Sequence, residues 1–237
     1  MSESADVLIL GGGPAGSTAA TLLAERGLGG RVLERERFPR FHVGESLLPY
    51  NAALFRRLGV WEKLQDHGFQ RKFGGQFVFE PAGRGSRLDF QDSLDADLSM
   101  AFQVRRAELD QILLDHARER GAEVEEGVRV REVLFEKDGA GERAVGVTGE
   151  SENGGPRQIH ARAVIDASGR DTMLGTQLGL KRKDDVLRQA ALYTHYRGAD
   201  MGLGPEGGDI LVVGGAYGWF WLIPLDAETP SVGAVIP

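Results

Sequence analysis

Val7-Leu8-Ile9-Leu10-Gly11-Gly12-Gly13-Pro14-Ala15-Gly16 carries an apolar run straight into G-x-G-x-x-G near the start of the chain. A run with no polar alternation reads as a strand buried on both faces, as in a parallel sheet. Helical periodicity follows from Ala15 to Arg26, with Ala19, Leu22 and Leu23 on one side, and a second strand, Arg31 to Glu34, comes after Gly29-Gly30. Strand, glycine turn, helix and strand form one β-α-β unit, which is the context that gives the glycine string a meaning. Gly11 permits the tight turn, Gly13 lets backbone amides approach a pyrophosphate, and Gly16 lets the helix pack on the strand. Pro14 and Ala15 begin the helix whose N-terminal dipole faces the phosphates. Glu34 lies 18 residues beyond Gly16, where its carboxylate can accept hydrogen bonds from both hydroxyls of an adenosine ribose. Together they predict a site for the ADP half of a dinucleotide, without separating FAD from NAD.

The rest of the composition narrows the classes. With 237 residues, 41% hydrophobic and 27% charged, the chain can bury a sizeable core. A net charge of -7 and a pI near 5.3 speak against nucleic acid and anionic membranes as partners. Short basic clusters at Arg35 to Arg40 and Lys181 to Lys183 read as solvated loops. Cysteine is absent, so any redox chemistry belongs to a cofactor, and no metal site is expected. The N-terminus is too short and too acidic for a signal peptide, and no stretch approaches the roughly 20 apolar residues of a membrane helix, so a cytoplasmic protein is expected.

Further along, residues 38–49 read as loop, followed by a helix carrying Ala53, Leu54 and Leu58 and a short one holding Trp61 and Leu64. A strand-rich insertion follows between Phe73 and Phe102. Leu109, Ile112, Leu113 and Ala117 mark an amphipathic helix between Arg106 and Arg120 that Gly121 ends. Strands are predicted at 123–126, 128–136, 144–148 and 159–165, and a second, antiparallel sheet from β-rich runs at 188–197, 209–213, 217–223 and 231–236.

Several strings resemble known flavoproteins. Gln103-Val104-Arg105-Arg106-Ala107-Glu108-Leu109-Asp110 is similar to the segment with which FAD monooxygenases of the hydroxybenzoate hydroxylase type place an arginine, here Arg106, near the cofactor. Ala163-Val164-Ile165-Asp166-Ala167-Ser168-Gly169-Arg170 resembles their second strand-and-turn signature, implying Asp166 and Gly169 beside the ADP site; on residue types alone it is a strand-to-turn signal. Two further strings resemble the flavin-dependent halogenases. Gly218-Trp219-Phe220-Trp221-Leu222-Ile223-Pro224 contains W-x-W-x-I-P, and alternation places Trp219, Trp221 and Ile223 on one face. The bland alternative is an aromatic core strand, although two of the three tryptophans fall within three residues. The resemblance implies that Trp219 and Trp221 wall the flavin off from the substrate. Gly68-Phe69-Gln70-Arg71-Lys72-Phe73-Gly74-Gly75-Gln76-Phe77 resembles G-F-x-x-K-x-G-x-x-F and implies that Lys72 is the halogenation lysine, whereas a lysine beside Arg71 is by residue type usually a solvated charge. Gly44-Glu45-Ser46-Leu47-Leu48-Pro49 looks like the branch acting on phenolic or carrier-tethered substrates, with Gly44 and Ser46 along the flavin; His42 reads as structural or exposed.

The resemblance implies an α/β fold: a Rossmann-type FAD-binding layer with an interleaved antiparallel β-sheet substrate layer. It is a single module over 1–237, with nucleotide-binding parts at about 1–60 and 100–180 and sheet-rich substrate parts at about 68–100 and 186–237. Family members continue past the 13 residues that follow Pro224, so a C-terminally incomplete module is expected. The implied activity halogenates an aromatic small molecule or an acyl-carrier-tethered substrate through hypohalous acid and Lys72. It would use FADH2 from a separate flavin reductase, O2, and chloride or bromide. The alternatives are an FAD-dependent monooxygenase or reductase of the same fold, and a flavin-binding fragment without activity.

Overall fold

The computed structural model describes residues 3–80, 83–139, 141–152, 154–185, 187–199 and 207–237. In chain order the elements begin with β1 (Glu3–Leu10), α1 (Pro14–Ala24), β2 (Gly30–Glu34), α2 (Pro49–Leu58), α3 (Trp61–His67), β3 (Gln70–Lys72), β4 (Gly74–Phe79) and β5 (Arg84–Asp89). Next come β6 (Ala101–Gln103), α4 (Arg106–Glu119), β7 (Glu123–Glu126), β8 (Val128–Asp138), β9 (Gly141–Ser151) and β10 (Pro156–Asp166). The chain continues through α5 (Met173–Gln177), β11 (Ala190–His195), β12 (Ile210–Gly215), β13 (Gly218–Pro224) and β14 (Pro230–Ile236). They divide between two compact units, Met1–Phe41 with Ala107–Arg182, and His42–Arg106 with Lys183–Pro237.

The first unit is built on a six-stranded sheet of order β7-β2-β1-β10-β9-β8. β7, β2, β1 and β10 run parallel, and β9 and β8 extend them as antiparallel neighbours. Both faces of β1 are covered, as its unbroken apolar run requires. Val7 and Ile9 pack with Ala20, Val32, Leu114 and Ala117, whereas Leu8 and Leu10 pack with Leu33, Val133, Val147 and Ile159. Parallel strands with α1 and α4 packed on one face, and the glycine turn at the carboxyl end of β1, make the Rossmann-type layer expected from the sequence.

The second unit contains a six-stranded sheet of order β11-β14-β13-β12-β4-β5, together with the two-stranded pair β3-β6. The larger sheet is antiparallel throughout except between β12 and β4, which run parallel with Ile210 opposite Gly75. A parallel pair needs a crossover, and here it is the long stretch of chain separating the two strands. α2 buries Ala52, Phe55 and Leu58 rather than Ala53 and Leu54. The larger ring of Phe55 removes more apolar area from water than a leucine would. Trp61 and Phe69 then gather on Phe102, with ring centroids 5.1 and 6.3 Å away.

Candidate functional site

In the first unit the chain leaves β1 through Gly11, whose φ of +105° is open to glycine and strained for other residues. A Cβ on Gly11 would lie 2.5 Å from the Ala167 carbonyl oxygen, and one on Gly16 would lie 1.8 Å from the Gly11 carbonyl oxygen. Both glycines are therefore demanded by the turn itself. Gly13 differs: a Cβ there would meet only the Arg40 guanidinium, at 3.4 Å. Gly13 is the N-cap of α1 and Pro14 occupies its first turn, with no side chain capping the helix. The free N–H groups of Ala15 and Gly16 at the positive end of a helix dipole suit an anion.

Arg40 was not singled out by its sequence. Its guanidinium donates to Asp110, a fully buried carboxylate, at 2.9 Å and pairs with Glu36 at 3.2 Å. Arg40 is thus the exception to the expected solvated loop, whereas Arg35 and Arg37 stay exposed and pair at the surface with Asp171 and Glu152. Arg40 places a cation beside Gly13. Glu34 is buried, and its Oε2 accepts from the Gly12 N–H at 2.6 Å while Oε1 accepts from the Glu36 N–H at 2.9 Å. A carboxylate has about four acceptor sites, so the two ribose hydroxyls still find partners there. Asp166 is spent on its own turn, accepting from the Ser168 N–H and hydroxyl and from the Leu174 N–H that opens α5. Burial pushes its carboxyl up, and those hydrogen bonds outweigh it and hold the group below the usual range. Gly169 follows at φ +64°. Open space over Gly13, an uncapped helix start, a neighbouring cation and a carboxylate at the end of β2 fit the ADP half of FAD.

In the second unit, residues 45–47 run beside β6. The Val104 N–H donates to Glu45 at 2.7 Å, the Leu47 N–H donates to Phe102 at 3.0 Å, and Ser46 bridges Gln103. β6 pairs on with β3, placing Lys72 opposite Ala101. Lys72 reaches back to the 45–47 segment, donating to the Ser46 hydroxyl at 2.9 Å and to the Leu47 carbonyl at 3.0 Å. Its Nζ also lies 5.2 Å from the centre of the Phe90 ring. Ser46 therefore meets Lys72. Arg106 donates to the Val43 carbonyl at 2.8 Å and sits against Gly44, whose φ is +108°.

Lys72 is only 3% exposed, not a surface charge. Burial lowers its pKa to about 8, against the opposing pull of the Asp209 carboxylate. Between about 8 and its ordinary 10.5 the unfolded chain holds a proton that the folded chain has released. Stability then rises with pH across that window, whereas below about 8 the buried charge costs on the order of 3 kcal/mol. Lys72→Met, which keeps the volume and removes the amine, is expected to flatten this rise. Urea unfolding of both proteins from pH 7 to 10.5 checks it.

Trp219 and Trp221 share a face of β13 as their alternation requires, with ring centroids 5.7 Å apart. Trp221 is buried and Trp219 is 37% exposed. On β14, Gly233 lies between Trp221 and Tyr193 in register. The Trp221 indole lies across Gly233: a Cβ there would sit 2.1 Å from the ring. This lets Trp221 stack at 6.2 Å on Tyr193 and reach the Ser231 hydroxyl with Nε1 at 3.3 Å. Gly233→Ala is expected to cost about 1–3 kcal/mol by overpacking and to change the near-ultraviolet circular dichroism of the tryptophans. Thermal unfolding with that spectrum measures both. Two steps along β11 from Tyr193, His195 Nε2 lies 2.8 Å from the buried Glu45 carboxylate, a pair the sequence did not announce.

A protein-family model described as an FAD binding domain matches residues 4–196. The chain belongs to the FAD binding domain family. It is 35% identical over 260 residues to the 1H-pyrrole-2-carbonyl peptidyl-carrier-protein chlorinase of Pseudomonas fluorescens, covering 97% of this chain and 55% of that protein. With the tryptophan 2-halogenase of Chondromyces crocatus it shares 38% identity over 236 residues, 99% of this chain and 44% of the relative. The structure of the myxobacterial chondrochloren halogenase, an FAD-dependent halogenase, superposes with a TM-score of 0.88 at 35% identity, covering 99% of this chain and 53% of that one. Within the family the chain is similar to flavin-dependent halogenases. It spans about half the length of these relatives. Among the described residues no helix is long and apolar enough to cross a membrane, and no cluster of His, Asp or Glu could hold a metal ion.

Proposed function

We propose that this chain is the FAD-binding and lysine-bearing part of an enzyme that halogenates an aromatic substrate with FADH2, O2 and chloride or bromide. One observation carries the reading: Lys72 is buried, held by Ser46 and the Leu47 carbonyl, with its pKa brought down to about 8. A lysine built into the interior at this cost, with ammonium and amine both accessible near neutral pH, is suited to chemistry. When bound and reduced, FAD supplies the two electrons with which O2 and halide yield hypohalous acid.

Within the first unit Gly11, Gly13, Pro14, Ala15, Gly16, Glu34 and Arg40 hold the ADP half, with Asp166 and Gly169 shaping the adjoining turn. Gly44, Ser46 and Arg106 of the second unit belong to the flavin end. The Lys72 ammonium hydrogen-bonds hypohalous acid and polarises it toward electrophilic halogen. As an amine it instead forms a haloamine with loss of water. In either form halogen passes to an aromatic carbon, the ring loses its proton, and the lysine is regenerated. Trp219 and Trp221 keep substrate and flavin apart. The relatives named for pyrrolyl groups on peptidyl carrier proteins favour an aromatic substrate tethered to a carrier. FADH2 comes from a separate flavin reductase, and the work is done in the cytoplasm.

The test is mass spectrometry of phenolic and carrier-linked aromatic substrates incubated with the open reading frame that contains this chain, FAD, a flavin reductase and NADH, with and without halide. A halogen isotope pattern that requires the salt is expected. Added oxygen that ignores the salt would replace this reading with a monooxygenase and leave Lys72 and the tryptophans as packing.

A further inference from the structure

Asp209 is buried, at 3% exposure, immediately before β12. Its Oδ2 accepts from Arg87 Nε at 2.8 Å, whereas its Oδ1 is buried with no hydrogen-bond partner among the described residues. A buried carboxylate oxygen without a donor is costly unless a nearby charge compensates it. The fold brings this carboxylate to Lys72. Gly208 is pressed on β3 so closely that a Cβ would lie 1.7 Å from the Arg71 carbonyl oxygen, and its own carbonyl accepts from Gln103 Nε2 at 2.8 Å. One residue on, Asp209 Oδ2 would lie 3.0 Å from a Cβ on Gly74, two residues beyond Lys72. Among the described residues Lys72 is the only buried lysine or arginine.

We infer that Asp209 is a positioning residue: its carboxylate is the counter-charge that favours the ammonium form of the buried Lys72, and Arg87 limits how strongly it acts. The inference rests on the reading of Lys72 as the halogenating lysine, and the lysine's ordinary value is lowered by burial and partly restored by Asp209. The other charged or titratable groups of this neighbourhood are Arg71 beside Lys72, Arg87 and Asp89 on β5, Glu45 beside Ser46, and His195 bonded to Glu45. Glu45 is buried as well but is bonded to His195, whereas Asp209 has an oxygen without a donor among the described residues and is the group whose charge acts on Lys72. Arg87 and Asp89 pair with one another at the rim.

Opposite shifts follow from opposite charges. Asp209→Asn keeps the shape and an acceptor for Arg87 but removes the charge, so the Lys72 midpoint is expected to move to lower pH by about one unit. Arg87→Gln frees the carboxylate to act on Lys72 alone, so the midpoint is expected to move to higher pH. The readout is the pH titration of the Lys72 side chain by carbon-detected NMR of lysine-labelled protein, its resonance assigned by its loss in Lys72→Met. Midpoints unchanged in both folded variants would overturn the inference, and the Arg87 variant decides alone if the Asp209 variant does not fold. The pH profile of halogenation should follow the same shifts. NMR midpoints that shift in a protein yielding no halide-dependent product would uphold the pairing and refute the function assigned to Lys72.

Discussion

Lys72→Ala is expected to stop halogenation while leaving FAD affinity unchanged. The expected loss in product formation is at least about 10³-fold, the scale on which a group handling proton or halogen transfer contributes. Lys72 bonds to Ser46 and to the Leu47 carbonyl, and to none of the glycine turn, Glu34 or Arg40, so its loss removes one hydrogen bond to Ser46 and no contact with the residues assigned to the ADP half. Truncation also leaves a small hole beside Phe90 and removes the donor to the Leu47 carbonyl, so Lys72→Met, which fills the hole, is the companion variant. If both variants are inactive, bind FAD as the parent does and melt at or above the parent temperature, the amine itself is required. Product at the parent rate from either would remove Lys72 from the mechanism. Halogenation is followed by mass spectrometry of product, and binding by flavin fluorescence.

The difference between what could be read and what could not follows sequence separation. Gly11 and Gly16 were legible because each answers a local demand, a positive φ or an approach no side chain permits, and Gly13 because the G-x-G-x-x-G spacing places it between them, all within six residues of chain. β1 was legible because a strand covered on both faces needs no polar alternation. Arg40 was misread as solvated because its counter-ion Asp110 is 70 residues away, and the string Arg35 to Arg40 contains nothing that tells one arginine from another. The pairing of β12 with β4 and the contact of His195 with Glu45, 150 residues apart, have the same character. On α2 the period was right and the phase was not, since Ala53-Leu54 and Ala52-Phe55 offer competing apolar stripes between which local sequence does not choose. The burial of Lys72 had no periodic signal at all, because β3 is three residues long. It was approached only through resemblance, and its cause is the closure of β6 and the 45–47 segment over it.

Gly13→Val is expected to remove FAD binding without unfolding the protein, and the glycine turn explains why this position is the informative one. At Gly16 a side chain would collide with the Gly11 carbonyl at 1.8 Å, and at Gly11 with the Ala167 carbonyl at 2.5 Å. Loss of binding in either variant would be inseparable from loss of the turn. At Gly13 a Cβ would come no nearer than 3.4 Å, to the end of the Arg40 side chain, and the φ of -67° suits any residue. The protein alone thus has no reason to keep glycine there, whereas a pyrophosphate seated on the start of α1 does, because a branched side chain would occupy its place. Affinity is expected to fall at least about 100-fold, or about 2.7 kcal/mol, with the unfolding midpoint of the apoprotein within a few degrees of the parent. Arg40→Gln should weaken binding in the same direction but less, since it removes one charge rather than the space. An unchanged flavin dissociation constant in Gly13→Val would mean that the phosphates do not cross this turn, and the fingerprint would then be a tight strand-to-helix connection and nothing more.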